Sequence, residues 1–171
     1  MKIKVKVKGI APLLMNKFSV APKTTSRAKK VYDPKEEAER KTYRDNDGNL
    51  CLPNKHFKAS MIKAATDFKM VGKKSYKEYV KAGVFITPEL IVLKPQKYTI
   101  HEEPVVIARS RVMSWRPRFD EWSCEFVMEI TDEMLNQTTL KEILETAGKY
   151  KGVGDYRPEY GRFEVVGFEV E

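Results

Sequence analysis

Residues 2–10, KIKVKVKGI, alternate strictly, with Ile3, Val5 and Val7 on one side and Lys2, Lys4, Lys6 and Lys8 on the other. That period of two predicts a half-buried strand whose outer face carries ammonium groups about 7 Å apart. From Ala11 to Tyr43 no steady period holds. APLLMNKF is apolar enough to dock, whereas APKTTSRAKK reads as an exposed flexible loop. Asp33-Pro34 followed by Glu36, Glu37 and Glu39 marks a short helix start, because proline and acids suit the first turn. DNDGN at 45–49 predicts a turn, leading to a short strand at Leu50 to Leu52 that Pro53 ends. A helix is expected over residues 55–69, with Asn54 as its cap and Phe57, Met61, Ala64, Ala65 and Phe68 on its buried face. Lys55, Lys58 and Lys63 lie away from that face.

Two longer strands are expected next, Val105 to Met113 and Trp122 to Ile130, joined as a hairpin around Arg116-Pro117-Arg118-Phe119-Asp120. A last helix, Thr139 to Tyr150, buries Leu140, Ile143, Leu144 and Ala147 and stops near Gly152. Arg162 to Val170 closes as a strand. With 11–49 (basic loop and short helix) and 70–100 set aside as insertions, the order is strand, helix, strand, strand, helix, strand. This predicts an α+β fold of the ferredoxin-like, RRM-like split βαβ type, with a four-stranded antiparallel sheet, two helices on one face and the other face open. A chain of 171 residues fits one such domain, 1–171.

Charge adds a direction to this picture. Residues 1–30 hold Lys2, Lys4, Lys6, Lys8, Lys17, Lys23, Arg27, Lys29 and Lys30, and no acid precedes Asp33. Those nine exceed the net charge of +8 by one, so the rest of the chain is formally −1. A basic N-terminal segment on a near-neutral body points to a polyanionic partner. Cys51 and Cys124 form no CxxC pair, and His56 and His101 are the two histidines, which argues against a zinc site; no cofactor is expected. No apolar run has the length of a membrane span, and the lysine-alternating start lacks the apolar block of a secretory signal, so no membrane partner and a cytoplasmic location are expected.

Two motifs carry more information. The first, Leu50-Cys51-Leu52-Pro53-Asn54-Lys55-His56-Phe57-Lys58-Ala59, joins a short apolar strand, a proline, a polar cap and a Lys-small pair at a helix start. The second, Gly152-Val153-Gly154-Asp155-Tyr156-Arg157-Pro158-Glu159-Tyr160-Gly161-Arg162-Phe163, is a glycine loop between the last helix and the last strand. Glycines permit positive φ and close backbone approach, so Gly152 and Gly154 could turn amide groups toward an anion. With Gly9-Ile10-Ala11-Pro12-Leu13-Leu14, these stretches cover roughly a quarter of the chain. In that order they resemble the RAMP superfamily of CRISPR-associated RNA-binding proteins, most closely its RRM-like backbone subunits. Those proteins usually have glycine where this chain has Ala59. The resemblance implies a nucleic-acid strand crossing the open sheet face, contacts from loops after the first strand, and head-to-tail assembly.

The residues point the same way without it. Lys4, Lys6 and Lys8, with Arg109, Arg111, Arg116 and Arg118, would make a basic sheet face and rim, and Lys58, in the Lys-small pair of the first motif, is a further expected nucleic-acid contact. Trp115, Phe119, Tyr156 and Tyr160 lie beside those cations, as do Arg157 and Arg162, and aromatic platforms in a basic groove hold single strands without reading bases. The expected partner is therefore single-stranded RNA or DNA, coated by a homo-oligomer or filament, with other ribonucleoprotein subunits as further partners. Blander readings stand beside this one. The lysine row could only keep an edge strand soluble; Arg109 and Arg111 could pair across strands with Glu125 and Glu129; Trp115 could pack on its own hairpin; and the 23–30 loop could simply be solvated. The same superfamily includes guide-processing endoribonucleases, for which His56 is the one sensibly placed candidate here. Asp132 and Glu133 have no companion acids at metal spacing, and no phosphate-loop or nucleophile-elbow pattern is present. Non-catalytic binding is the leading expectation, with a His56-dependent endoribonuclease and a protein-interaction subunit as alternatives.

Overall fold

A computed structural model describes residues 1–19 and 33–171. The alternating N-terminal segment is strand β1, Lys2–Gly9, and its period decides the architecture: Ile3, Val5 and Val7 are buried while the lysines face out. β1 pairs antiparallel with β8, Ser123–Ile130, on one side and with β9, Phe163–Val170, on the other. Beyond β8 lie two short strands, β4 (Val84–Thr87) and β5 (Leu90–Lys94), and β5 carries β3 (Cys51–Pro53). The sheet therefore runs β3-β5-β8-β1-β9, with β4 also on β8, and has six strands.

Helix α2, Asn54–Ala64, and helix α4, Gln137–Thr146, cover its apolar face. Phe57, Met61 and Ala64 from α2 and Leu140, Ile143 and Leu144 from α4 join Ile3, Val5, Phe126 and Met128 in one core. Phe57 is the centre, fully buried with its ring 4.7 Å from Phe126 and 5.4 Å from Phe163. Replacing such a side chain by alanine costs about 3–5 kcal/mol. Two shorter helices, α1 (Pro34–Arg40) and α3 (Lys77–Gly83), complete four α-helices among the described residues. Asp33 caps α1 as expected, its Oδ1 accepting from the Lys35 amide at 3.0 Å. Asn54 does not cap α2. Its Nδ2 donates to the Ile86 carbonyl at 2.5 Å, fastening the helix start to β4, and the helix gives way to a single tight turn at Ala65–Asp67 instead of running to 69.

The fold is thus α+β, with a six-stranded and a three-stranded antiparallel sheet. The expected pairing of 105–113 with 122–130 does not occur. Residues 99–119 instead form a separate hairpin, β6 (Thr99–Ile107) and β7 (Ser110–Phe119), whose β7 also pairs with β2, Leu13–Leu14. The place beside β8 goes to β4 and β5, from the segment expected to be an insertion. Both bury alternate residues, but the exposed Phe85 and Val92 are apolar as well, so no alternation shows in the sequence, and Pro88 separates the two runs. The hairpin turns at Ala108 and Arg109, at φ 47° and 67°, rather than at 116–120. Neither residue type signals such a turn, while Pro117 falls inside the strand.

Candidate functional site

The sheet face opposite the helices is not basic. Lys2 pairs with Glu129 at 3.0 Å, Lys4 with Glu171 at 2.5 Å and Lys6 with Glu125 at 3.7 Å. Lys94 also reaches Glu125, at 4.0 Å, while Glu169 and Glu164 lie opposite Lys4 and Lys8 on β9. Lysines and glutamates match one for one. Exposed pairs of this kind add little to stability, but together they cancel the field expected from the lysine row. Because β7 lies in the other sheet, Arg109 and Arg111 join neither this face nor Glu125 and Glu129.

Along the hairpin the arginines have separate fates. Arg109 at the turn and Arg111, opposite Val106, are exposed near the exposed apolar side chains Val106, Ile107, Val112 and Met113. Trp115 is half-buried, opposite Glu102. Arg116 is only 5% exposed: Nη1 donates to Asp155 Oδ2 and Nη2 to Glu103 Oε2, both at 2.6 Å, and its buried Nε has no acceptor. This guanidinium fastens the hairpin to the glycine loop and is not presented to solvent. Arg118 donates to Asp120 at 2.8 Å, lies 3.3 Å from His101 Nδ1 and stands 5.7 Å from the centre of the Tyr160 ring. His101 Nε2 is 3.1 Å from Glu103.

The glycine loop does not form the expected anion nest. The amides of Gly152, Val153, Gly154, Asp155, Tyr160 and Gly161 are all taken, by Ala147 O, Gly161 O, His56 Nδ1, Leu14 O, Tyr156 O and Pro12 O. Glycine is required here for packing: at Gly161, φ 78°, a Cβ would sit 1.7 Å from Val153 O, and at Gly154, φ 79°, 2.5 Å from Leu14 O. The loop turns side chains outward instead of amides. Tyr156 is 55% exposed, Arg157 is exposed, and the Tyr156 ring lies 5.7 Å from Tyr160, itself 5.4 Å from His101. Arg162 is half-buried, with a buried Nε lacking an acceptor.

Lys58 points into the protein, donating to the carbonyls of Val80, at 2.7 Å, and Val84; burial holds its pKa below the usual lysine value. Lys17 lines a cavity of about 400 Å3 with Tyr43, Arg44, Pro53, Lys55, His56, Glu89 and Leu90. Arg44 is engaged by Glu39 at 2.6 Å and Gly48 O at 2.7 Å. His56 accepts the Gly154 amide at Nδ1, 3.2 Å away, and lies edge-on to Tyr43 at 5.6 Å. Burial, reinforced by Arg157, lowers its pKa, so the ring is neutral with its proton on Nε2. Sequence reading missed Tyr43, Arg44 and Lys55. The available signal was an α2 first turn with Lys55 and His56 and no acid, the reverse of what a helix start favours.

Lys23, Arg27, Lys29 and Lys30 lie outside the described residues. Among the described residues no three His, Cys, Asp or Glu side chains gather to hold a metal ion. Cys51 and Cys124 are free and buried, and burial pushes Cys51 up to about 11 and Cys124 well upward, so both are thiols. Among the described residues no helix is long and apolar enough to cross a membrane. No protein-family model and no curated protein matches the chain.

Proposed function

We propose that the chain is a non-catalytic binder of single-stranded nucleic acid that coats its ligand as a multimer of RRM-like units. The observation that carries this reading is a continuous run of rings and cations outside the six-stranded sheet. Tyr43 contacts His56; His56 holds Gly154 of the loop bearing Tyr156 and Arg157; Tyr156 contacts Tyr160; and Tyr160 meets His101 and Arg118. Lys17 and Lys55 stand at the Tyr43 end, and Arg118 at the other. Stacking rings interleaved with cations hold a single strand by its bases and phosphates together. The ligand path therefore shifts from the charge-balanced sheet face to this strip.

The order β9-β1-β8 followed by β4 and β5, with α2 and α4 as the crossovers, supports a ferredoxin-like core enlarged by β3 and by the β6–β7 hairpin. It is also the arrangement that the resemblance to RAMP backbone subunits implies. The alternative of a His56-dependent endoribonuclease is the weaker one: with Nδ1 accepting from Gly154, Nε2 is a hydrogen-bond donor and cannot take a proton.

Titration of fluorescent 20-mer poly-U RNA, poly-T DNA and a duplex, at 25–200 mM salt, tests the proposal. Both single strands should bind more tightly than the duplex. Log affinity should fall with log salt by about 0.7 per phosphate contacted. No binding at 25 mM salt overturns the proposal.

A further inference from the structure

We infer that the cavity between the Lys17 segment, residues 43–44, the start of α2 and the β4–β5 turn is a subsite for one nucleotide. Its phosphate would lie on Lys17, Lys55 and His56 Nε2, and its base against Tyr43, Pro53 and Leu90. This deepens the reading as a nucleic-acid binder and rests on it where the nucleotide belongs to a bound strand.

The cavity's two sides differ in chemistry. Lys17 and Lys55 are exposed and, among the described residues, neither takes part in an ion pair, whereas Arg44 is held by Glu39 and contributes field more than contacts. His56 is the informative member. The Gly154 amide fixes its tautomer, so Nε2–H is a neutral donor with a set direction, suited to a phosphate oxygen and placed there without a histidine charge. Burial holds Tyr43 above the usual phenol pKa, so its hydroxyl keeps its proton. Pro53, Leu90 and the Tyr43 ring supply apolar surface, and Glu89 supplies the one carboxylate of the lining, an acceptor for sugar hydroxyls or base amines. At about 400 Å3 the volume lies at the small end of ligand pockets, about 300–1,000 Å3, in keeping with a single nucleotide.

The test compares wild type with Lys17→Ser/Lys55→Ser and with His56→Asn, which keeps an acceptor for Gly154 and removes the Nε2 donor. Lys8→Ser/Lys94→Ser, from the sheet face, is the equal-charge control. Probes are the poly-U 20-mer, uridine 5′-monophosphate, uridine and inorganic phosphate, with imidazole nitrogen NMR reporting on His56. The subsite predicts at least tenfold weaker oligonucleotide binding for the double lysine variant and about fivefold for His56→Asn, against less than twofold for the control. It also predicts that the monophosphate shifts the His56 Nε2 resonance and binds better than uridine or phosphate alone. Oligonucleotide binding at wild-type strength in both cavity variants overturns the subsite and leaves the wider reading intact. Monophosphate binding that depends on Lys17 and Lys55, in a protein that binds no oligonucleotide, sustains the subsite for a free nucleotide and overturns the wider reading. Phosphate binding as well as the monophosphate overturns the assignment to a nucleotide.

Discussion

Arg116 offers the sharpest test of how the hairpin and the glycine loop are held together. Arg116→Met keeps most of the side-chain volume and removes the one cation between Glu103 and Asp155, leaving two carboxylates turned toward the same site. Deleting one member of a buried ion pair costs about 3–5 kcal/mol. Here the side chains of Glu103 and Asp155 are 33% and 30% exposed, so water recovers part of that, and the expected loss is about 2–3 kcal/mol. At a urea dependence of about 2 kcal/mol per molar, the unfolding midpoint should fall by about 1–1.5 M. The triple variant Glu103→Gln/Asp155→Asn/Arg116→Met removes the stranded charges and should regain most of the loss. Urea melts followed by circular dichroism measure both. A midpoint shift under about 0.3 M for Arg116→Met, or a triple variant no more stable than the single one, refutes the assignment of Arg116 as a buried ionic tie.

Other outcomes follow from the same geometry. Gly161→Ala should abolish soluble expression or cost more than about 3 kcal/mol, since its Cβ would meet Val153 O at 1.7 Å, whereas Gly72→Ala, at φ 84° with open space around it, should cost about 1 kcal/mol, both read from thermal melts. His56 has a folded pKa below the ordinary 6.5, so its contribution is complete above pH 6.5 and is lost as pH falls from there toward the lower folded value. The stability advantage of wild type over His56→Asn should accordingly shrink between pH 7.5 and pH 5 in urea melts, and an advantage that grows contradicts the burial argument. Lys4→Ser/Lys6→Ser/Lys8→Ser should change oligonucleotide affinity less than twofold in 100 mM salt by fluorescence titration, because those lysines sit among matching glutamates. Lys58→Met should cost about 1–2 kcal/mol in urea melts through the unpaired carbonyls of Val80 and Val84, with oligonucleotide affinity unchanged.

What the sequence made legible was local. The Lys/Ile/Val alternation of β1, the Asp33 cap, the 45–49 turn, α4 and β9 are each written within a dozen residues, and they stand where expected. The middle strands were misassigned because β4 and β5 are short and split by Pro88, while the longer alternation at 105–113 belongs to a hairpin turning on Ala108 and Arg109. Charge was legible as a count and not as a field. The glutamates that neutralise the lysine row come from β8, β9 and the residue beyond it, more than a hundred positions away along the chain. Likewise the cavity joins residues 17, 43–44, 53–56 and 89–90, which only tertiary structure brings together. In the glycine loop Tyr156 and Arg157 face outward, whereas the amides expected to meet an anion serve the fold.

The central claim is that the exposed rings and cations of the glycine loop hold a single strand, and substituting the two most exposed of them tests it directly. Tyr156→Ala/Arg157→Ser removes one platform and one charge, and neither side chain is buried. Stacking contributes about 1–3 kcal/mol per base and a phosphate contact adds to it, so affinity for the poly-U 20-mer should fall at least tenfold. The log-log salt slope should become shallower by about 0.7. A variant that binds the 20-mer as tightly as wild type, with the same salt slope, contradicts the account.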